Sequence, residues 1–373
     1  MRRPVDTPEV SRRYRRWLTP MLLIAITAGP VLLGAASDSP VIVGATTTAG
    51  VGVIFAVGLY TFVGTTGIIS FGHMGLVTLG AYVAAICASD VALKMMTFTG
   101  MPHWMASIHL AFAPAVLLGA IAASLLALVI ALPLMRLTAL AASLASFAAL
   151  IVVNSVASNL DSITGGVSGF SVAPISTTPY AALVAALAVI GVGFFFKESR
   201  IGLRLRASRD DEAAARGVGA NVHRDRVIAF MLSGFLVGIG GGLSALQTGG
   251  FTPSAFFLDA TLLVLVMIVV GGVNSLSGAV VGSLLVSVIV YVLQQAQSGS
   301  VFGLFSFTGR PGIETAGLAV VVLLMLVFRP SGLFGYTEIG DVAWRFLRQP
   351  GGMDASPMPK GTKARNLDDG GDG

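Results

Sequence analysis

Apolar residues in this chain run in long blocks separated by short polar breaks, with little of the strict alternation that marks strands. A helix crossing a bilayer core of about 30 Å needs roughly 20 mostly apolar residues, because every backbone N–H and C=O must find its partner inside the segment. By that length there are ten candidate spans, at residues 17–36, 41–63, 67–89, 109–135, 138–158, 179–196, 227–247, 258–273, 279–296 and 312–328. The eighth is short and the third contains Ser70, Gly72 and His73, so either is open to being broken or re-entrant. The pattern predicts an all-α, polytopic transmembrane helical bundle. Gly234, Gly238 and Gly242 repeat every four residues in the seventh span, as Gly278 and Gly282 do at the ninth, a spacing that forms a smooth strip for close helix contact. A sliding surface is the other reading of the same strip.

The polar positions are gathered rather than scattered. Of 373 residues 55% are apolar and only 11% charged, against about 25% in an ordinary soluble domain. Yet residues 197–226 hold a dense island of Lys, Arg, Asp and Glu. Threading the spans from a cytoplasmic N-terminus puts residues 1–16, Arg136, the island and the tail inside; of the 23 Lys and Arg, only Lys94 and Arg310 fall outside. That distribution obeys the positive-inside rule and predicts both termini cytoplasmic. The net charge of +5 is therefore an orientation signal, with no nucleic-acid partner implied. The organisation expected is a basic N-terminal segment over 1–16, a transmembrane domain over 17–336 and a disordered tail over 337–373. Ser11-Arg12-Arg13 ahead of an apolar run also fits a cleaved signal peptide, although a first span needs the same basic flank. The sole cysteine, Cys87, rules out an intrachain disulfide and leaves the compartment unread.

Chemistry is sparse within the spans. His73 is the main ionisable group, with Asp90, Asp161 and Asp259 near span ends. Buried acids usually mark proton or ion relays, so their scarcity argues against a carrier that titrates one, although some carriers use carbonyls instead. There is no G-x-x-x-x-G-K-[ST] phosphate loop, no H-E-x-x-H, no paired Cys and no G-x-S-x-G. No enzyme, metal site or bound cofactor is expected, and energy for uphill transport would have to come from another chain.

Within the island, Ser208-Arg209-Asp210-Asp211 fits a capping box, with Asp210, Asp211 and Glu212 in the first turn of a helix. Ala213, Ala214 and Ala215 propagate it, and Gly217 or Gly219 ends it. A helix of about two turns does not persist alone in water and needs a partner surface. A solvated linker would account for the basic residues but not for the acidic cluster.

These residues resemble the permease subunits of ATP-binding-cassette importers for branched-chain amino acids. Glu212-Ala213-Ala214-Ala215-Arg216-Gly217-Val218-Gly219, with Asn221, is similar to their cytoplasmic ATPase-coupling loop; Gly stands five and seven positions after Glu, where the general importer pattern has it at six. Residues 57–82, 160–170, 269–282 and 328–335 are similar to further stretches in the family's order, so the resemblance covers roughly 41–336; Met74 stands where Ala often follows the His. The resemblance implies a multi-pass subunit of the bacterial plasma (inner) membrane, paired with a second permease as a heterodimer, two ATPases that carry ATP and Mg, and an extracytoplasmic binding protein. The implied cargo is leucine, isoleucine or valine, with urea or short amides as alternatives and a stand-alone carrier or channel as the rival. The coupling residues implied are Ser208, Asp211, Glu212, Ala213, Ala214, Ala215, Gly217 and Gly219. Ser70, Gly72 and His73 at a possible helix break, and Asn154, Thr164, Gly165 and Gly166 toward the outer face, are candidates for substrate or donor contact. Gly64-x-x-Gly67-x-Ile69-Ser70 is also echoed by Gly271-x-x-Asn274-x-Leu276-Ser277, through shared turn chemistry, a repeat or chance.

Overall fold

In the computed structural model the described residues are 8–98, 100–171, 177–297, 300–301, 305–306, 312–329, 332–335 and 337–340. They form α1 (Pro8–Ala35), α2 (Pro40–Thr66), α3 (His73–Ala88), α4 (Val91–Thr97), α5 (His103–Ala106), α6 (Phe112–Leu134), α7 (Ala139–Asn159), α8 (Asp161–Thr164), α9 (Pro179–Glu198), α10 (Arg200–Asp210), α11 (Glu212–Gly217), α12 (Val222–Thr248), α13 (Leu258–Gly271), α14 (Leu276–Gln297) and α15 (Ile313–Phe328). The residues expected to form the tail beyond 340, and those before 8, lie outside the described set.

Each of the ten apolar blocks contains a helix, but among the described residues eight helices are long and apolar enough to cross a membrane, or nine if α3 and α4, bent by 116° at their junction, make one span. The expected ten is corrected at two places. α2 stops where Gly67 takes φ 73° and donates its N–H back to Val63, so the third block spends its first residues in a turn and its helix starts only at His73. α15 has 16 residues, short for a crossing. Conversely α12 begins at Val222 rather than 227, because the Asn221 side chain accepts from Arg224 N at 3.1 Å and caps it.

The bundle is built around α12, which packs against α2, α3 and α6. At its centre the backbones meet: a Cβ on Gly80 would lie 2.9 Å from Gly238, and one on Gly119 would lie 2.5 Å from the Gly80 carbonyl. α13 and α14 cross in the same manner, with Gly271 against the Gly278 carbonyl and a Gly282 Cβ 2.2 Å from the Met267 carbonyl. Such contacts exclude side chains and let dispersion between main chains hold helices in lipid. The outward faces of α6 and α7 stay apolar, with Leu125 59%, Val129 66% and Leu140 75% exposed, the inverse of a water-soluble surface.

Both described ends of the chain sit at the island end. Gly340 lies against Thr19 of α1, and Glu338 pairs with Lys197 at the end of α9. Glu338 also accepts from Leu276 N and Ser277 N, both at 3.1 Å, so a segment past the last span caps the first turn of α14. At the opposite end Phe170–Ser171 pairs antiparallel with Gly250–Phe251, and Phe98 stacks on Phe170 at 4.7 Å.

Candidate functional site

The island folds as two helices joined at Asp211. Ser199 caps α10, its Oγ accepting from Gly202 N at 3.2 Å. Asp211 ends α10, turns the chain with extended φ −151°, and caps α11 by accepting from Ala214 N at 3.0 Å. The expected capping box is thus displaced. Ser208 lies inside α10, buried, its hydroxyl donating to the Leu205 carbonyl, and Asp210 is the last residue of that helix. The pattern S-x-x-D matched locally, but α10 continues through it because Leu205 and Ser208 are buried against the bundle.

α11 is closed by a Schellman motif. Gly219 takes φ 84°, its N–H donates to Arg216 O at 3.0 Å, and Ala220 N donates to Ala215 O at 3.1 Å. Ala215, Ala220 and Val222 form a small apolar cluster beneath, which is the accompanying hydrophobic contact. The opposite side, with Ala213, Ala214, Gly217 and Val218, is exposed, Val218 at 87%.

Charged groups fix this geometry. Glu212 accepts from Arg216 at 2.6 Å and from Arg226 at 2.9 Å. Burial pushes its carboxyl up, but the hydrogen bonds from the two guanidiniums outweigh that and hold it below the usual carboxylate range. Arg204 clamps Asp225 with two bonds of 2.7 and 2.8 Å, tying α10 to the first turn of α12.

Arg209 reaches furthest, donating to the Gly64 carbonyl of α2 at 3.1 Å and to Asn274 Oδ1 at 2.6 Å. Its side chain also covers Gly67, where a Cβ would meet it at 2.5 Å. The two echoed motifs, at 64–70 and 271–277, therefore converge on one guanidinium from the island. Sequence reasoning placed Arg209 among the orientation arginines, and only the echo hinted at a shared neighbour.

The candidate path residues do not converge. Ser70 and His73 are adjacent and buried, with His73 Nδ1 2.7 Å from Ser70 Oγ, and the His73 ring packs edge-on to Phe230 at 4.8 Å. Gly72 is a close contact, since a Cβ would lie 2.6 Å from the Ser146 carbonyl of α7. Asn154, Thr164, Gly165 and Gly166 are at the other end of the bundle. Asn154 donates to Pro253 O at 2.8 Å; Thr164 donates to Ala157 O at 2.6 Å; Gly165 and Gly166 take φ 75° and 57° in the following turn. Those four build a turn and its anchorage. Among the described residues no cluster of metal-ligating side chains is present.

The family described as "Branched-chain amino acid transport system / permease component" matches residues 41–334. The chain belongs to that family. Among curated relatives, the high-affinity branched-chain amino acid transport permease BraD of Pseudomonas aeruginosa is 29% identical over 160 residues, 43% of this chain and 48% of BraD. LivM of Escherichia coli K12 is 24% identical over 320 residues, 77% of this chain and 68% of LivM. LivH of the same organism is 26% identical over 160 residues, 43% of this chain and 48% of LivH. This LivM-like permease thus spans about half the length of BraD and LivH, and two thirds of LivM. No solved structure matches. The matched region of this permease takes in α2 to α15 and the whole island, and leaves α1 and the segment bearing Glu338 outside.

Proposed function

We propose that this multi-pass permease is the membrane-spanning subunit of an ATP-driven importer that carries leucine, isoleucine and valine inward across a bacterial plasma membrane by alternating access. The carrying observation is α11: a six-residue helix capped at both ends, braced by Glu212, and exposing Ala213, Ala214, Gly217 and Val218. A surface of small groups flanked by charge fits a groove on a partner, and this chain has no phosphate loop of its own. ATP and Mg would be held by two ATPase subunits docked there. The island, the N-terminal flank and the tail then face the cytoplasm, in keeping with the distribution of Lys and Arg. A second permease subunit completes the path, consistent with the presence of both LivM and LivH in one organism. An extracytoplasmic binding protein delivers the cargo.

Proteoliposomes holding this chain with its partner subunits and binding protein are expected to take up labelled leucine only with ATP inside the ATPase compartment. Uptake that instead follows a proton or sodium gradient without ATP would refute the importer reading.

Arg209 gives a sharper outcome. Arg209→Ala cuts the link between α10 and the α2 and α13–α14 turns while leaving α11 untouched. Assembly with the ATPase is expected to persist while uptake per ATP hydrolysed falls about tenfold, the scale of losing hydrogen bonds to a charged group. Unchanged coupling would remove Arg209 from the route.

A further inference from the structure

At the end away from the island, α2, α12, α13 and α14 line an open-sided cavity of about 500 Å³. That lies within the range of about 300–1,000 Å³ typical of small-ligand sites. Its walls are aliphatic and aromatic, with Leu263, Val264 and Met267 on α13, interspersed with Thr48, Gln247 and Ser287. No Asp, Glu, Lys, Arg or His is among its lining residues. Placing a net charge there would cost its hydration without a counter-charge, so the cavity suits a neutral or zwitterionic solute with an apolar body. Its deep end is formed by Phe55, Met74 and Val264, and the same three residues line a small void beneath, together with Ser70 and His73. His73 Nε2 is buried with no hydrogen-bond partner among the described residues, behind the apolar atoms that face this void. An unpaired buried donor or acceptor is costly, and a passing polar group would relieve that cost.

We infer that this cavity is the loading site for the cargo, closed below by Phe55, Met74 and Val264, with Ser70 and His73 as the polar station past that gate. The inference rests on the importer reading for its substrate class, an aliphatic zwitterionic amino acid, and adds the place where it binds. The carboxylate would accept from the Ser287 hydroxyl and the ammonium would donate to Gln247 Oε1, whose Nε2 is held by Gly44 O and Thr48 Oγ1, and the side chain would lie on α13.

Two matched substitutions test it. A Cβ on Gly44, which lines the cavity, meets nothing within 4 Å, and the same is true of Gly191 on α9, which does not line it. In the assembled importer, Gly44→Leu fills the cavity without strain and is expected to lower kcat/KM for leucine at least tenfold, while Gly191→Leu stays at the wild-type value. A Ser287→Cys variant, made with Cys87→Ala, supplies a reading independent of transport. Leucine is expected to slow its thiol labelling in the purified complex at least fivefold, whereas lysine and glutamate do not. Met74→Ala is expected to raise leucine leak without ATP. Wild type that imports leucine, with Gly44→Leu equal to Gly191→Leu or labelling unaffected by leucine, overturns the site; absence of the leak overturns the gate. Wild type that imports no branched-chain amino acid, with labelling slowed by urea or a short amide, keeps the site and overturns the cargo.

Discussion

Glu212→Arg combined with Ala214→Trp is expected to leave the permease inserted in the membrane and to strip it of its ATPase subunits, with ATP-driven leucine uptake falling at least about 100-fold. Two features of α11 make this the most damaging surface change available. Ala214 is exposed, so in the isolated chain a Trp there touches little and costs little. Against a partner groove shaped for small residues, however, the indole overfills it, and overpacking is not relieved when both surfaces are well packed. Glu212 is the acceptor for Arg216 and Arg226, and Arg in its place sets three cations side by side where two shared one carboxylate. Reversal therefore changes both the field that orients docking and the brace that holds α11 on α12. Ala214→Trp alone separates the effects, because it leaves the brace intact. Co-purification from detergent with the ATPase, read beside uptake, is the measurement. A double variant that retains its ATPase and its uptake places the docking surface elsewhere in the chain.

The crossing helices were legible because membrane helices satisfy all their backbone bonds internally, which makes block length a direct reading of structure. Where the blocks misled, a single backbone conformation was responsible. Gly67 in the left-handed region ends α2 inside what composition reads as continuous apolar sequence, and composition carries no φ. Ser208 misled for a related reason. A capping box is a four-residue pattern, while the end of α10 is set by Leu205 and Ser208 packing into the bundle, a tertiary effect that overrides it. Arg209 could not be read at all from its neighbours, since its partners lie 145 and 65 residues away. Its role comes from the topology that brings the α2–α3 and α13–α14 turns under one island. Asn154 and the 164–166 turn read as available for cargo because they are polar and near an end, while the structure shows the Asn154 Nδ2 donating to Pro253 O and the Thr164 hydroxyl donating to local carbonyls.

Gly238→Leu is expected to abolish the stable bundle, a loss of about 3 kcal/mol or more. Even Gly238→Ala should cost about 1–3 kcal/mol. A Cβ at 238 would lie 2.7 Å from Ala123 Cβ and 2.9 Å from Ala120 Cα, and neither atom belongs to the far end of a flexible side chain. Relief would require α12 to withdraw from α6, and that withdrawal would also open the Gly80–Gly238 and Gly80–Gly119 contacts, because α3, α6 and α12 meet at one place. Three interfaces are lost for one methyl group. Thermal unfolding in detergent, followed by size-exclusion chromatography of the full chain, checks the order wild type, Gly238→Ala, Gly238→Leu. Gly191→Leu, where a Cβ meets nothing, serves as the control that adding bulk to an apolar helix is harmless by itself. A Gly238→Leu protein that unfolds with the wild type would show that the helices can part there at little cost. If they cannot, then on the importer reading α3, α6 and α12 travel as one body, and the relative motion that opens the cavity falls on its other walls, α2, α13 and α14, whose turns Arg209 grips.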